Sequence, residues 1–295
     1  YGDEGHREGG SGWWYEGGGL YRSASLVRTD TLHIEQDGLF AYSNISSGSA
    51  QLHARAAVSN GGAAAAKACV VLSLTAPDGT PALAPVGSEL VSLAAGDATT
   101  LSFTITVPSP QLWSSASPAL YTVGATVHSG ECDTAAETDS VSEPHGFRSL
   151  RYDADEGFFL NGDHFKVRGF CDHNTFAVVG MAVPDRVNLF RAQASRAIGG
   201  NGRRTSHNPP AREMLQIYDR VGIVVMDENR LFANVTKYVA NMGALVKRDR
   251  NHPSVVIWSF CNENGCEGDR EKGGPRFREI AYEYDGSRPT LGNMF

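Results

Sequence analysis

The sequence predicts two folds in series, an all-β sandwich and then a parallel α/β unit. Three features lead there. Between Thr31 and Glu143 apolar residues alternate in short runs with no helical period, and turn residues separate the runs. Beyond Pro144 apolar, β-branched runs alternate with longer amphipathic stretches, which is the grammar of β-α units around a parallel sheet. Late in that second half, Ser254-Val255-Val256-Ile257-Trp258-Ser259-Phe260 forms a near-continuous apolar run, as in a strand buried on both faces.

The chain begins with a glycine-rich, charged stretch over residues 1–12 that has no periodicity. Trp13-Trp14-Tyr15 then runs into Gly17-Gly18-Gly19, a loop expected to pack its aromatics and enter a strand over Leu20 to Val27. In the stretch 31–143 the alternating runs include Gln51 to Val58, Ala68 to Leu74, Thr99 to Val107 and Leu120 to Val127. Asn60-Gly61-Gly62, Pro77-Asp78-Gly79 and Pro108-Ser109-Pro110 supply the turns. About seven short strands over about a hundred residues is the pattern of an immunoglobulin-like sandwich. No chemistry is visible there, and its expected role is structural.

In residues 144–295 a first strand is expected over Phe165 to Phe170 and a helix over Asp185 to Ile198, with Pro184 in the helix's first turn. A strand over Gly202 to Thr205, a helix over Ala211 to Val221 and a strand over Ile223 to Met226 follow. A helix over Asn234 to Arg248 leads to the apolar run, and a helix over 275–285 leads to a fifth strand at Pro289-Thr290-Leu291-Gly292-Asn293.

A net charge of -7 argues against a nucleic-acid or anionic-membrane partner. No apolar run approaches the ~20 residues that span a bilayer. The first residue is Tyr1, so the sequence is silent on targeting and the compartment stays unread. Five cysteines are too few and too scattered to suggest a disulfide framework, and Cys261 and Cys266 have no second pair or spaced histidine to suggest zinc.

The informative pattern is at the strand ends. Asp172-His173-Asn174 follows the first strand, Arg204-Thr205-Ser206-His207-Asn208-Pro209-Pro210 the second, Asp227-Glu228-Asn229-Arg230 the third and Asn262-Glu263-Asn264 the fourth. In barrels of parallel strands such ends line the active-site mouth, and four in succession favour a site. A carboxylate at the rim of an apolar strand is partly desolvated, which raises its pKa and suits a general acid. Taken singly, each end has a plainer reading: Ser206 or Asn208 could cap the second helix, and Asn262 and Glu263 the helix after them.

Arg248-Asp249-Arg250-Asn251-His252-Pro253-Ser254-Val255-Val256-Ile257-Trp258-Ser259, followed by Asn262-Glu263, resembles the acid/base motif of glycoside hydrolase family 2, the family of β-galactosidases, β-glucuronidases and β-mannosidases. The resemblance implies a TIM (β/α)8 barrel, of which this chain holds the N-terminal part over 144–295. It also implies that residues 1–30 are the tail of a sugar-binding jelly roll, ahead of the sandwich at 31–143. Gln111-Leu112-Trp113-Ser114 and Pro118-Ala119-Leu120-Tyr121 resemble a segment of the family's middle domain.

The roles implied for this chain are Glu263 as acid/base, Asn262 on the sugar 2-hydroxyl, and His173, Arg204, His207, Asp227 and Glu228 around the substrate. The segments His207-Asn208-Pro209-Pro210 and Met226-Asp227-Glu228-Asn229-Arg230 look more like β-galactosidases than like the other members. Two departures stand out. Arg203 occupies a place usually apolar, and by alternation would face the helix layer if Arg204 faces inward. The segment that helps bind magnesium in some β-galactosidases does not follow Asp227, so no metal or other cofactor is carried over.

The expected reaction is retaining hydrolysis of terminal β-D-galactosides, which needs a second carboxylate about 5–5.5 Å from the first. In the family it ends the seventh strand, whereas the strand count here reaches five, so the chain is expected to be a piece of a longer enzyme and inactive alone. Glu228 and Glu267 are carboxylates of the right type that nothing places opposite Glu263. The other readings are a β-glucuronidase or β-mannosidase, or a non-catalytic sugar-binding or pseudoenzyme chain. The expected partner is carbohydrate, and a homo-oligomer is left open.

Overall fold

A computed structural model describes residues 19–262 and 270–293. The first half is the expected sandwich. One sheet orders β1 (Leu32–Ser46), β2 (Ser49–Asn60) and β6 (Ala98–Pro108) as β1-β2-β6. The other comprises β3 (Ala66–Thr75), β4 (Val86–Gly87), β5 (Val91–Leu93), β7 (Tyr121–His128) and β8 (Glu137–His145), in the order β4-β3-β7-β8 with β5 on β3. All pairings are antiparallel. The period-2 reading holds residue by residue in β2, where Ala50, Leu52, Ala54, Ala56 and Val58 are buried. They pack against Val70, Leu72, Val123, Ala125 and Val127 of the facing sheet.

Two expectations fail in this half. Leu20 to Val27 forms no strand: no strand is assigned over residues 19–31, and Arg22 and Ser23 hydrogen-bond instead to Pro209, Pro210 and Glu213 of the second half. A strand needs a ladder partner, and this segment spends its polar groups on a loop. Cysteine spacing was also misleading. Cys69 and Cys132 form a disulfide that ties β3 to the loop before β8, with Cα atoms 5.3 Å apart, and Cys261 is disulfide-bonded too. The two lie 63 positions apart in the chain, and the fold brings them together by pairing β3 with β7 in one sheet.

A small antiparallel sheet of β9 (Leu150–Asp153), β10 (Gly157–Leu160) and β11 (Asp163–His164) leads into the second half. There β12 (Gly169–Asp172), α1 (Asp185–Ala197), β13 (Gly202–Thr205), α2 (Arg212–Val221) and β14 (Val224–Glu228) alternate in turn. They are followed by α3 (Thr236–Asp249), β15 (Val255–Asn262), α4 (Arg270–Tyr284) and β16 (Thr290–Asn293). The five strands are parallel and lie in sequence order, as an incomplete barrel requires. The helices bury one stripe each; in α3 it is Val239, Met242, Leu245 and Val246.

Small differences from expectation are local. The first strand starts four residues later than its apolar run. Pro184 sits one position before α1 in extended conformation, where its missing N–H costs nothing. The residue preceding α2 is Ala211, so neither Ser206 nor Asn208 caps that helix. Gly222 ends α2 at φ 74°, the left-handed conformation that favours glycine. A Cβ there would also sit 2.5 Å from the Ser115 carbonyl oxygen.

That contact belongs to the joint between the halves. Trp113 is fully buried and its indole N–H donates to the Asp219 carbonyl at 2.9 Å. The Ser115 hydroxyl donates to the Gly222 carbonyl at 2.6 Å, and Arg196 holds Ser115 in turn. Asn251 exchanges hydrogen bonds with the backbone of Leu39 and Ala41. The sandwich therefore grips the N-terminal side of the parallel sheet and leaves its C-terminal edge clear.

Candidate active site

Strand alternation sorts the two arginines of β13. Arg203 points to the helix layer, where it lies 3.8 Å from Asp172 and over the Phe170 ring. Asp172 also takes a bond from Arg191 and, at 3.3 Å, the Tyr218 hydroxyl. The unexpected charge is thus paired, and Asp172 is spent on pairing it. Arg204 points the other way, across the C-terminal ends of the strands.

There the predicted residues converge. The Arg204 guanidinium donates from Nε to Glu228 Oε2 and from a terminal nitrogen to Asn262 Oδ1, each at 2.6 Å. His207 Nδ1 lies 2.8 Å from Glu228 Oε1, and the Ser259 hydroxyl donates to Glu228 Oε2 at 2.9 Å. The His173 ring meets the His207 ring edge-on, with centroids 5.3 Å apart. Four strand ends, β12 to β15, so contribute to one cluster, drawn together because β13, β14 and β15 are neighbours in register.

Exposure separates the roles. The Glu228 side chain is 0% exposed, while Arg204 and His207 are 14% and 15% exposed. Glu228 is therefore the floor, holding the arginine and the imidazole in place. The side chains a ligand can reach are Arg204, His207, His173 and Asn262. Burial alone would lower the Arg204 pKa, but the hydrogen bond and charge of Glu228 outweigh it and hold the group above its ordinary value. Burial lowers the His173 pKa, with help from His207 and Arg204, so at neutral pH its ring is uncharged and suited to hydroxyl groups.

Asp227 is not part of this cluster. As Glu228's neighbour on β14 it faces the opposite side, fully buried, and accepts a hydrogen bond from Thr205 at 3.1 Å. Asp249 of α3 lies beside it. Glu263 and Glu267 lie outside the described residues. Ser259 and Thr205 escaped the sequence reading. Ser259 does interrupt an apolar run, which was its one visible signal. Thr205 looked like part of a loop motif, yet its hydroxyl receives the Glu228 N–H at 2.8 Å. Among the described residues no group of three or more His, Cys, Asp or Glu side chains could hold a metal ion.

The loop after β13, which carries His207, is held from two sides. Arg22 donates to the carbonyls of Pro209 at 2.8 Å and Pro210 at 3.3 Å, and Arg248 donates to Pro210 at 3.0 Å.

A rigid, half-open array of one guanidinium, two imidazoles and an amide suits recognition of a polyhydroxylated ligand. Comparison with known proteins gives the family. The sandwich, residues 32–148, matches the profile "Glycosyl hydrolases family 2", and residues 154–241 and 233–290 match "Glycosyl hydrolases family 2, TIM barrel domain". Beta-galactosidase BoGH2A of Bacteroides ovatus is 33% identical over 264 residues, 85% of this chain and 30% of its own length. A solved glycosyl hydrolase family 2 member from Bacteroides cellulosilyticus superposes with a TM-score of 0.84 at 27% identity, covering 95% of this chain and 39% of that one. Bacteroides uniformis beta-glucuronidase 2, covalently bound to cyclophellitol-6-carboxylate aziridine, superposes at 0.77 with 26% identity, covering 90% and 34%. The chain thus spans 30% to 39% of these proteins' length, and across its sandwich and its parallel sheet it belongs to glycoside hydrolase family 2.

Proposed function

We propose that this chain supplies the acid/base side of a retaining β-glycosidase site acting on terminal β-D-galactosides. The observation that carries the reading is the Arg204–Glu228–His207–Asn262 network at the C-terminal ends of the strands, with Glu263 next along the chain from Asn262. Glu263 would protonate the glycosidic oxygen as the bond breaks, then take a proton from the water that releases the sugar. Asn262, fixed by Arg204, would hold the sugar 2-hydroxyl. His173 and His207 would contact neighbouring hydroxyls. The nucleophilic carboxylate is assigned to no residue of this chain: Glu228 is buried beneath Arg204, His207 and Ser259, where a sugar cannot reach it.

The experiment is Glu263→Gln in a complete version of the enzyme, one that also carries the nucleophilic carboxylate, assayed on galactosides with alkyl and with activated aryl leaving groups. Turnover of the alkyl substrates should fall by orders of magnitude. Glycosyl transfer from the aryl substrates, which need no proton, should survive. Equal loss on both would remove Glu263 from the role. The similarity to a β-glucuronidase favours a second sugar, so β-glucuronides belong in the same assay; a higher kcat/KM on them would reassign the substrate and leave the mechanism standing.

A further inference from the structure

We propose that Asn44 is a modification site: the fold presents its side-chain amide as the acceptor for an N-linked saccharide, on a chain that matures in an oxidising, secretory compartment. Asn44-Ile45-Ser46 and Asn234-Val235-Thr236 are the two places in the sequence where an asparagine stands two residues before a serine or threonine with no proline between them. That triplet is common, and the structure tells the two apart. Asn44 lies near the end of β1 and pairs with Gln51 of β2. The buried residues of β2 are Ala50, Leu52, Ala54, Ala56 and Val58, so Gln51, and with it Asn44, points away from the sandwich core. Asn44 Nδ2, the atom that would be modified, meets His53 Nε2 at 3.3 Å, and the same ring meets the Thr104 hydroxyl at 3.1 Å. Asn44, Gln51, Thr104 and Thr106 are all exposed on this outer face. The Ser46–Ser49 pair closes a two-residue turn, Ser47-Gly48, with Gly48 at φ 76°. The Ser46 hydroxyl, the second half of the triplet, is exposed at that turn beside the Ser49 hydroxyl at 2.9 Å. A saccharide on Asn44 therefore stands at the tip of a hairpin and displaces no packed side chain.

The second triplet is occupied by the fold. Asn234 is partly buried, and its Oδ1 accepts from an Arg276 terminal nitrogen at 2.6 Å. The Thr236 hydroxyl accepts from the same guanidinium at 3.4 Å. A saccharide on Asn234 would have to share the contact that Arg276 makes between α4 and the start of α3. The compartment enters through the cysteines. Cys69 is bonded to Cys132, and Cys261 is disulfide-bonded as well. Such cross-links form and persist where the surroundings are oxidising, which is also where N-linked saccharides are added. The transfer balances without a redox partner. Asn44 Nδ2 forms a bond to the anomeric carbon of a saccharide carried on a lipid diphosphate. The bond from that carbon to the diphosphate oxygen breaks, the diphosphate leaves with the electron pair, and one amide proton passes to a base of the transferase.

The test uses the full chain behind a cleavable secretory leader, translated with rough microsomes and also secreted from a eukaryotic cell. The wild type should carry one saccharide, read as a single-step gel shift. An amidase specific for N-linked saccharides should reverse that shift and leave aspartate at position 44. Asn44→Gln and Ser46→Ala should each abolish the shift. Ser46→Thr, which keeps the hydroxyl, should retain it, and so should Asn234→Gln, in which Asn44 heads the one remaining triplet. The microsomal reading is made during translation, so a variant that folds poorly still reports. No shift in the wild type, or a full shift in Asn44→Gln, would overturn the proposal. A second step that disappears with Asn234→Gln would overturn the distinction drawn between the triplets. The secreted protein tests the fold: its melting temperature should be the same before and after amidase treatment, and a rise on removing the saccharide would show that the hairpin does not accommodate it. Alkylation of Cys69 or Cys132 in the unreduced secreted protein would remove the disulfide and, with it, the argument for the compartment.

Discussion

Replacing Arg204 by methionine isolates what the network contributes to the fold. Glu228 would keep its charge at 0% exposure and lose its cation at 2.6 Å. Breaking a buried ion pair from one side costs about 3–5 kcal/mol, because the remaining charge stays out of water. His207 at 2.8 Å and the Ser259 hydroxyl at 2.9 Å still hold Glu228, so the low end applies, about 3 kcal/mol. With a urea dependence of about 2 kcal/mol per molar, that moves the unfolding midpoint of the parallel sheet down by about 1.5 M. The buried Trp258, in register beside Asp227, gives the fluorescence signal. Adding Glu228→Gln, which keeps the shape and removes the charge, should recover at least half the loss. A midpoint shift below about 0.5 M for Arg204→Met, or no recovery in the double variant, would refute the idea that this pair anchors the site.

Two further outcomes follow from the same structure. His252 is buried against Asp219, with Nδ1 2.5 Å from the carboxylate; burial would lower its pKa, but the charge and hydrogen bond of Asp219 prevail and raise it above 6.5. Stability from this pair is complete below the unfolded value and is lost as pH rises through the folded one, at no more than about 1.4 kcal/mol per pH unit. Thermal melts between pH 6 and pH 9 should decline accordingly, and His252→Asn should flatten that decline. Arg22→Ala should loosen the loop that carries His207. Its expected signature is faster amide hydrogen exchange at residues 206–208, with a rise in KM in a complete version of the enzyme, and unchanged exchange there would count against the clamp.

Much of the architecture was legible because it rests on periodicity. The alternation of β2, the apolar run of β15 and the order of strands and helices are local properties of the chain. The convergence of His173, Arg204, His207, Glu228 and Asn262 was legible as a list of strand ends. What the list could not separate was Glu228 from Asp227. Adjacent residues on a strand face opposite ways, and which one faces the barrel depends on a register that pairs Arg204 with Met226. The same alternation placed Arg203 toward the helix layer, but its partner Asp172 was visible only as one of the polar residues after the first strand, because nothing local shows that Arg191 and Tyr218 converge on it. Cys69 and Cys132 are distant in sequence, and the antiparallel pairing of β3 with β7 makes them neighbours.

The grip of Arg22 on Pro209 and Pro210 has a consequence in time. The two ends of that contact lie 188 residues apart in the chain, with the whole sandwich between them. At ribosomal rates of about 5–20 residues per second, the arginine emerges roughly 10–40 s before its carbonyls exist. The sandwich can finish folding in that interval, and the leading segment must wait beside it with Leu20 and Leu26 exposed. During synthesis the loop that carries His207 thus meets, in Arg22, a partner from the part of the described chain that is made first.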